Sequence, residues 1–318
     1  MSKKRWGASI LMAFILLFTT SCAQPTQQPA GKPTIKIGYL PITHAGVLYM
    51  DNHLYGGEFA EYNIELVKFS SWPDLMDALN TGRVEGASVL VELAMKAKVK
   101  GIDLKAVALG HKDGNVIISS KEIESTKDLI GKTFAIPHKY STQNILLNKM
   151  LKKEGLNYED VDVVEMPPAE MPAALSENRI SGYAVAEPFG AMAVQLDKGK
   201  VLHQSDEIWP NSYCCVLVLR NDFIQSNQTA TQSLVTQYVK TSEQAEHKDK
   251  DLFNSFDQYM KVEKEVLDLS LEWISFDGLR IEKDEYNKLR NSVIEMDLFE
   301  NPPSFEEFVD NTYIDKAM

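Results

Sequence analysis

Short apolar segments separated by polar turns recur along the first two thirds of this 318-residue chain. Each has the four to seven residues of a strand, and helical segments stand between them. Beyond residue 228 the pattern is that of amphipathic helices, with no strong strand signal. The pattern therefore predicts an α/β protein with strands at residues 34–40, 64–69, 87–90, 105–109, 115–119, 132–136, 161–165, 182–186 and 213–219.

One motif occurs twice, at residues 74–86 and 170–182, with a constant offset of 96 residues. It consists of an acidic residue, Ala-Leu, an Arg four residues after the Leu, a β-branched residue and Gly. Each copy predicts a short amphipathic helix, a turn and a strand that enters a sheet. Two such units, so far apart in the chain, predict two α/β lobes with a cleft between them.

The order of the segments predicts that the chain visits the first lobe twice. Residues 34–115 and 217–318 are assigned to lobe 1, and residues 116–216 to lobe 2. The strands at 115–119 and 213–219 would then connect the lobes, and two connections make a hinge with a defined opening direction. The helical tail is expected to pack on the first lobe.

The N-terminus has the pattern of an export signal. Lys3, Lys4 and Arg5 precede an apolar run at residues 10–18, which is far shorter than the roughly 20 residues of a membrane span. Small residues before Cys22 resemble the lipobox of bacterial lipoproteins, although Thr19 stands where an aliphatic residue is usual. We therefore expect a signal peptide at 1–21, a lipidated Cys22, a flexible tether at 22–33 and a protein anchored to the outer face of the cell membrane.

Charge and cysteine content restrict the partners. Removing the three basic residues of the leader takes the formal net charge from −12 to −15, which argues against nucleic acid and polybasic membrane binding. Contact with the membrane is expected only through the lipid anchor. Apart from Cys22, the cysteines are Cys214 and Cys215, which are predicted to be small buried side chains in a strand rather than a disulfide. A monomer is expected.

Several motifs together are typical of one family. They are Ile37-Gly-Tyr, Leu79-x-x-Gly-Arg-Val-Glu-Gly-Ala87, Asp128-Leu-x-Gly-Lys-Thr-x-Ala-Ile-Pro137, Ala186-Glu-Pro-Phe189 and the strand beginning at Cys214. With them the chain resembles extracytoplasmic solute-binding proteins of ABC importers, in the nitrate/sulfonate/bicarbonate group that also includes taurine and thiamine-precursor binders. The resemblance implies a type II periplasmic-binding-protein fold, with two α/β lobes joined by a two-strand hinge. It also implies a small-molecule solute held between the lobes, and an ABC permease and its ATPase as partners.

Candidate ligand-binding residues follow the predicted strands, because ligands of α/β proteins bind beyond the carboxyl ends of strands. Three such loops contain a histidine, and the helix predicted from Ser141 would direct free N–H groups at a small anion. Hydroxyl and backbone donors at residues 88–89 and 141–142 and the ring of Trp72 would complete the site. The predicted ligand-binding residues are His44, Trp72, Ser88, Val89, His111, His138, Ser141, Thr142 and Glu187.

Glu187 allows a different interpretation, because a carboxylate in the cleft opposes an anion. With His44, His111 and His138 it would form a set of three nitrogens and one oxygen, suitable for Zn²⁺ or another divalent ion. The ligand could then be a metal, a metal–anion pair or an amine. No other cofactor is expected.

Several functions remain open at this point. We expect capture and delivery of a solute rather than catalysis, because no Gly-x-Ser-x-Gly elbow is present. One alternative is a thiamine-pyrimidine precursor binder, or an enzyme that resembles the synthases of that fold. Those synthases carry a longer cysteine-rich motif, and the export signal also argues against an enzyme. Another alternative is a sensory or adhesive surface lipoprotein without a transporter.

Overall fold

The computed structural model describes residues 32–318. All the strands predicted from the sequence are present. Three further strands were not predicted, at residues 112–113, 200–204 and 274–275. The strands are β1 (Thr34–Tyr39), β2 (Asn63–Lys68), β3 (Gly86–Leu90), β4 (Leu104–Leu109), β5 (Lys112–Asp113), β6 (Asn115–Ser119), β7 (Thr133–Ile136), β8 (Asp162–Glu165), β9 (Gly182–Ala186), β10 (Lys200–Gln204), β11 (Cys215–Arg220) and β12 (Ile274–Ser275).

Helices alternate with the strands and then make up most of the C-terminal third. They are α1 (Gly46–Tyr55), α2 (Trp72–Asn80), α3 (Val91–Val99), α4 (Thr142–Lys153), α5 (Met171–Ser176), α6 (Phe189–Gln195), α7 (Ser205–Ile208), α8 (Asn221–Ser226), α9 (Gln228–Glu246), α10 (Lys250–Met260), α11 (Lys264–Glu272), α12 (Lys283–Glu295) and α13 (Phe305–Phe308).

Two five-stranded sheets organise the molecule. The first has the order β2-β1-β3-β11-β4, and the second, from its matching edge, has the order β8-β7-β9-β6-β10. Each sheet contains one strand that enters it directly from the other lobe. This strand is β11 in the first sheet and β6 in the second, and it runs antiparallel to its neighbours. The two sheets therefore have the same topology, each at the centre of one lobe.

The two copies of the repeated motif occupy equivalent places. Each copy ends in a central strand, β3 or β9, whose first residue is the glycine of the motif, Gly86 or Gly182. A Cβ atom on Gly86 would lie 2.6 Å from the carbonyl oxygen of Val218, and one on Gly182 would lie 2.8 Å from that of Ile118. These distances are too short for a methyl group, so the glycine lets the crossing strand approach closely.

The helical tail contacts both lobes, and the expectation that it packs on the first lobe describes only part of it. Helices α9 and α10 pack against α1 of the first lobe. Helix α11 packs against α6 of the second lobe, and the ring of Phe299 meets that of Tyr140 edge to face at a centroid distance of 5.6 Å. The tail therefore spans the junction between the lobes.

The predicted signal peptide, the lipidated Cys22 and residues 22–31 of the tether lie outside the described residues. From residue 32 onward, no helix is both long enough and apolar enough to cross a membrane. The lobe boundaries predicted from the sequence remain a prediction, although the assignment of β6 and β11 to different sheets agrees with a chain that passes twice between lobes.

Candidate metal centre

Four side chains that can bind a metal converge at one edge of the first sheet. His44 follows β1, His111 follows β4, and Cys214 and Cys215 stand at the start of β11. Because β11 runs antiparallel to its neighbours, its first residues lie at the same edge as the carboxyl ends of β1 and β4. One ligand atom from each residue lies within 4.8 Å of the others, and all four residues are buried.

The distances among the two sulfurs and Nδ1 of His44 match those of a tetrahedral zinc site. The sulfur atoms of Cys214 and Cys215 are 3.8 Å apart, and Nδ1 of His44 is 3.4 Å from each of them. Zinc bonds of about 2.3 Å to sulfur and about 2.0–2.1 Å to nitrogen, at tetrahedral angles, give a sulfur–sulfur separation of about 3.8 Å and a sulfur–nitrogen separation of about 3.6 Å. The side chains are therefore already arranged to hold such an ion.

The ring nitrogens of the two histidines differ in their contacts. Nε2 of His44 lies 3.2 Å from the carbonyl oxygen of Gly114 and donates to it, which leaves the lone pair of Nδ1 facing the sulfurs. Among the described residues neither ring nitrogen of His111 has a hydrogen-bond partner, although the residue is 1% exposed. Burial lowers the pKa of His111 to about 4, and the adjacent His44 adds to this.

The two thiols differ in acidity. Burial opposes ionisation of Cys214, but its hydrogen bond with Cys215 and the neighbouring His44 hold its pKa well below the ordinary value. Burial, together with that same hydrogen bond, holds the pKa of Cys215 well above it. Within the pair, Cys214 therefore ionises before Cys215.

The side chain of Gln143 connects this group to the second lobe. Nε2 of Gln143, on α4, donates to Oδ1 of Asn115 at 2.7 Å and to the sulfur of Cys214 at 3.3 Å. Asn115 is the first residue of β6, whereas Cys214 leads into the first sheet. The amide of Gln143 therefore spans the junction of the two lobes.

A second buried chain of contacts crosses the same junction. Oγ1 of Thr142 lies 2.7 Å from Oε1 of Glu92 and also contacts the carbonyl oxygen of Tyr213. Burial raises the pKa of Glu92 to about 8, against the hydrogen bond with Thr142. A hydroxyl has a single proton. A protonated Glu92 can therefore donate to Thr142, which in turn donates to Tyr213.

His138 and Glu187 do not belong to the group of four, so the predicted set of three histidines and Glu187 is not brought together. Nδ1 of His138 accepts the N–H of Tyr140 at 2.9 Å, and its Nε2 lies 3.8 Å from Glu165. Both partners lie in the second lobe, near the ends of its own strands.

Glu187 is held elsewhere in the junction. Its Oε2 accepts hydrogen bonds from the N–H of Ala191 at 3.0 Å and the hydroxyl of Ser270 at 2.9 Å. Its carbonyl oxygen accepts the N–H of Thr43 at 2.9 Å, which joins the second lobe to the turn that contains His44. Burial raises the pKa of the Glu187 carboxyl to about 7.

The other predicted ligand-binding residues have different positions. Trp72 begins α2 and is buried in the core, and Ser88 and Val89 lie within β3, paired with Leu217 and Val216 of β11. The structure therefore does not bring these three to the metal-ligating group. Ser141 caps α4 by accepting the N–H of Asn144, and it donates to the carbonyl of His138.

Cys214 and Cys215 are the members of this group that were not among the metal-binding candidates predicted from the sequence. Their pattern indicated small buried side chains in a strand, and they are fully buried. The available signal was their place at the beginning of a crossing strand, opposite two strands that each end before a histidine. That signal has meaning only once the direction of β11 is known.

Two lobes of equal topology, joined by a pair of crossing strands, have the fold of the periplasmic binding proteins. Comparison with protein families agrees, since residues 28–252 match the NMT1-like family. The chain belongs to the NMT1-like family.

Solved structures include a ligand-binding component of an ABC-type import system from Staphylococcus aureus with zinc bound. It is 43% identical, has a TM-score of 0.85 and aligns over 90% of this chain and 99% of its own. The nitrate-binding protein NrtA from Synechocystis is 16% identical with a TM-score of 0.79, over 89% of this chain and 88% of its own, and shows likeness of fold alone.

Curated relatives are more distant. The nitrate/nitrite binding protein NrtA of Nostoc is 27% identical over 63% of this chain and 51% of its own length. The taurine-binding periplasmic protein of Escherichia coli is 32% identical over 50% of each. The alignments with the curated relatives cover about a third to just over half of their lengths. Those two relatives are named as solute-binding proteins rather than enzymes.

Proposed function

We propose that this protein is the solute-binding component of an ABC importer and that its solute is a transition-metal ion, Zn²⁺ in the first place. The observation that carries the proposal is the buried group of His44, His111, Cys214 and Cys215, whose ligand atoms lie within 4.8 Å of one another. The two sulfurs and Nδ1 of His44 stand at the mutual distances of a tetrahedral site. The zinc described for the similar Staphylococcus aureus protein is in agreement with it.

The donor set selects the type of metal. Two sulfurs and two imidazole nitrogens in tetrahedral arrangement suit Zn²⁺, whereas Mg²⁺ and Ca²⁺ prefer six or more oxygen ligands. Two thiolates also neutralise the charge of a divalent ion, which lowers the free-energy cost of burying it. The orphaned nitrogens of His111 support the same assignment, since a buried polar atom costs free energy unless it has a partner.

Capture of a small anion is the second candidate, and the names of the nitrate- and taurine-binding relatives favour it. The helix start that would bind an anion is α4. There the hydroxyls of Ser141 and Thr142 are engaged by protein atoms, and the carboxyl group of Glu92 lies against Thr142. Because these hydroxyls already have protein partners, the geometry at this helix start supports an anion less well than the group of four supports a metal.

Delivery and anchoring complete the proposal. We infer that the loaded site stabilises the contact between the lobe built on the first sheet, which includes β11 and the Cys214–Cys215 pair, and the lobe built on the second sheet. The closed form would then dock on a permease driven by an ATPase. The leader at 1–21 would export the chain as a monomer, and a lipid on Cys22 would hold it at the outer face of the cell membrane. Mass analysis of the N-terminal peptide of protein from the membrane fraction tests the anchor, and an unmodified Cys22 would refute it.

Elemental analysis with native mass spectrometry tests the solute. The mature protein, prepared under reducing conditions, is expected to bind one zinc per chain with little competition from magnesium or calcium. Calorimetry with nitrate, bicarbonate and taurine on the zinc-free protein is the matched comparison. Tight binding of one of these anions, together with no zinc binding, would show that the solute is that anion and not a metal. Steady formation of a product would assign an enzyme instead.

A further inference from the structure

The four proposed ligands all lie at one edge of the first sheet, so the metal ion alone does not join the two sheets. His44, His111, Cys214 and Cys215 lie after β1, after β4 and at the start of β11, all strands of the first sheet. A binding protein that delivers its solute needs a difference in closure free energy between the empty and the occupied site. Some residue of the second lobe must therefore respond to the occupied site.

Gln143 has the position that this response requires. It is the second residue of the twelve-residue helix α4, and it is 1% exposed. The distance from its Nε2 to the sulfur of Cys214 is 3.3 Å, and the same nitrogen donates to Oδ1 of Asn115 at 2.7 Å. Asn115 thus fixes the amide so that an N–H points at a proposed metal ligand.

We infer that Gln143 is the positioning residue through which the second lobe recognises the metal-loaded site. The inference rests on the proposed function. A bound ion would hold the sulfur of Cys214 at one position, and the N–H of Gln143 points at that sulfur from 3.3 Å. The contact from Gln143 is then favoured in the loaded protein, and closure of the second lobe becomes more favourable.

The second hydrogen-bonding group of the amide supports this role. Among the described residues, Oε1 of Gln143 and Nδ2 of Asn115 have no hydrogen-bond partner, although both side chains are buried. A pair of amides that served stability alone would satisfy these atoms or be replaced by apolar groups, because unpaired buried polar atoms cost free energy. Retaining them is consistent with a contact that serves recognition.

The test compares Gln143→Leu and Gln143→Asn with Gln195→Leu as the matched control. Gln195 is also a glutamine of the second lobe whose Nε2 contacts the tail, at the carbonyl of Glu265, but it is exposed. Each protein is titrated with Zn²⁺ against a chelator, and its radius of gyration is measured by small-angle X-ray scattering with and without zinc. Co²⁺ substitution adds the sulfur-to-cobalt charge-transfer band. Thermal unfolding of the zinc-free proteins checks that each variant folds.

For both Gln143 variants we expect about a tenfold or larger loss of zinc affinity, the range known for residues that hydrogen-bond a metal ligand. We also expect a smaller zinc-induced compaction and a shift of the cobalt band to lower energy, because the thiolate loses a donor. Gln195→Leu should behave as wild type. Normal compaction, affinity and band position in either folded Gln143 variant would overturn the inference while the proposed function stands. A wild-type protein that binds no zinc would overturn both.

Discussion

The two sheets have the same strand order, yet only the edge of the first brings together a set of metal ligands among the described residues. A histidine follows the equivalent strand in each lobe, His44 after β1 and His138 after β7. The crossing strands differ, since β11 begins at the Cys214–Cys215 pair and β6 begins with Asn115. The crossing strand therefore decides whether a histidine at the sheet edge becomes part of a metal site.

The comparison also separates two tasks. The first lobe supplies sulfur and nitrogen donors, and the second lobe supplies amide and hydroxyl groups that contact those donors or their neighbours. This division lets one lobe bind the ion while the other responds to it. The predictions below test the division, beginning with the largest expected effect.

Replacing both cysteines tests the crossing strand directly. Cys214→Ser with Cys215→Ser should remove measurable zinc binding, a loss well beyond the 10- to 100-fold effects of residues that only support a ligand. The measurement is zinc content per chain after dialysis, followed by chelator competition. Because both residues are buried, circular dichroism must first show that the variant is folded. Retained stoichiometric zinc in a folded double variant would exclude the proposed site.

Exchange of the histidines compares the two lobes at equivalent positions. His111→Ala should reduce zinc affinity by about 100-fold or more, since it removes a ligand with no other hydrogen-bond partner in the described chain. His138→Ala should change the affinity little, because Tyr140 and Glu165 are its neighbours. Calorimetry measures both. A larger loss of zinc affinity for His138→Ala than for His111→Ala would show that the metal-binding site lies in the second lobe.

The repeated glycines test whether the lobes are equivalent in packing. Gly86→Ala and Gly182→Ala should each lower the free energy of unfolding by about 1–3 kcal/mol, because the added methyl group meets a backbone carbonyl of the crossing strand. Urea denaturation of zinc-free protein measures the change. Ser88→Ala, in the same buried strand, adds no atom and is the control. Unchanged stability in either glycine variant would show that the strand moves away at little cost.

The contact of Glu92 with Thr142 predicts a pH dependence of stability. Burial raises the pKa of Glu92 to about 8 from 4.5. The folded protein therefore binds an extra proton between about pH 4.5 and 8. Its contribution is complete below this range and is lost as the pH rises through it. Glu92→Gln keeps a donor toward Thr142 without titrating, so it should flatten the stability profile by at most about 1.4 kcal/mol per pH unit.

Urea denaturation of zinc-free protein at several pH values measures this slope. The exposed Glu122 offers a control, Glu122→Gln, which should leave the profile unchanged. A wild-type profile that does not change between pH 5 and 8, or a Glu92→Gln profile that is just as steep, would contradict the assignment of a buried neutral carboxyl at this junction.

Much of the fold was accessible from the sequence, because strands that are buried are encoded locally. The apolar run at 213–219 and the glycine-ended repeats predict central strands, and β11, β3 and β9 are found there. The strand β10 was missed because Lys200–Gln204 has only two apolar residues, Val201 and Leu202, and is only partly buried. Local pattern describes such an edge strand poorly.

The site could be predicted only in part, because it depends on relations between strands. His44 and His111 were found from their places after strands, a rule that holds within one sheet. The same rule selected His138, which the topology assigns to the other sheet. Cys214 and Cys215 were missed as ligands, since the sequence does not give the direction in which β11 enters its sheet.

Zinc-edge X-ray absorption spectroscopy of the loaded protein tests the central claim most directly, because it reports which atoms surround the ion. The account predicts two sulfur neighbours at about 2.3 Å and two nitrogen neighbours at about 2.0–2.1 Å. It also predicts that the sulfur neighbours vanish in the protein that carries Cys214→Ser and Cys215→Ser. A shell of oxygen and nitrogen alone in the wild-type protein would contradict it.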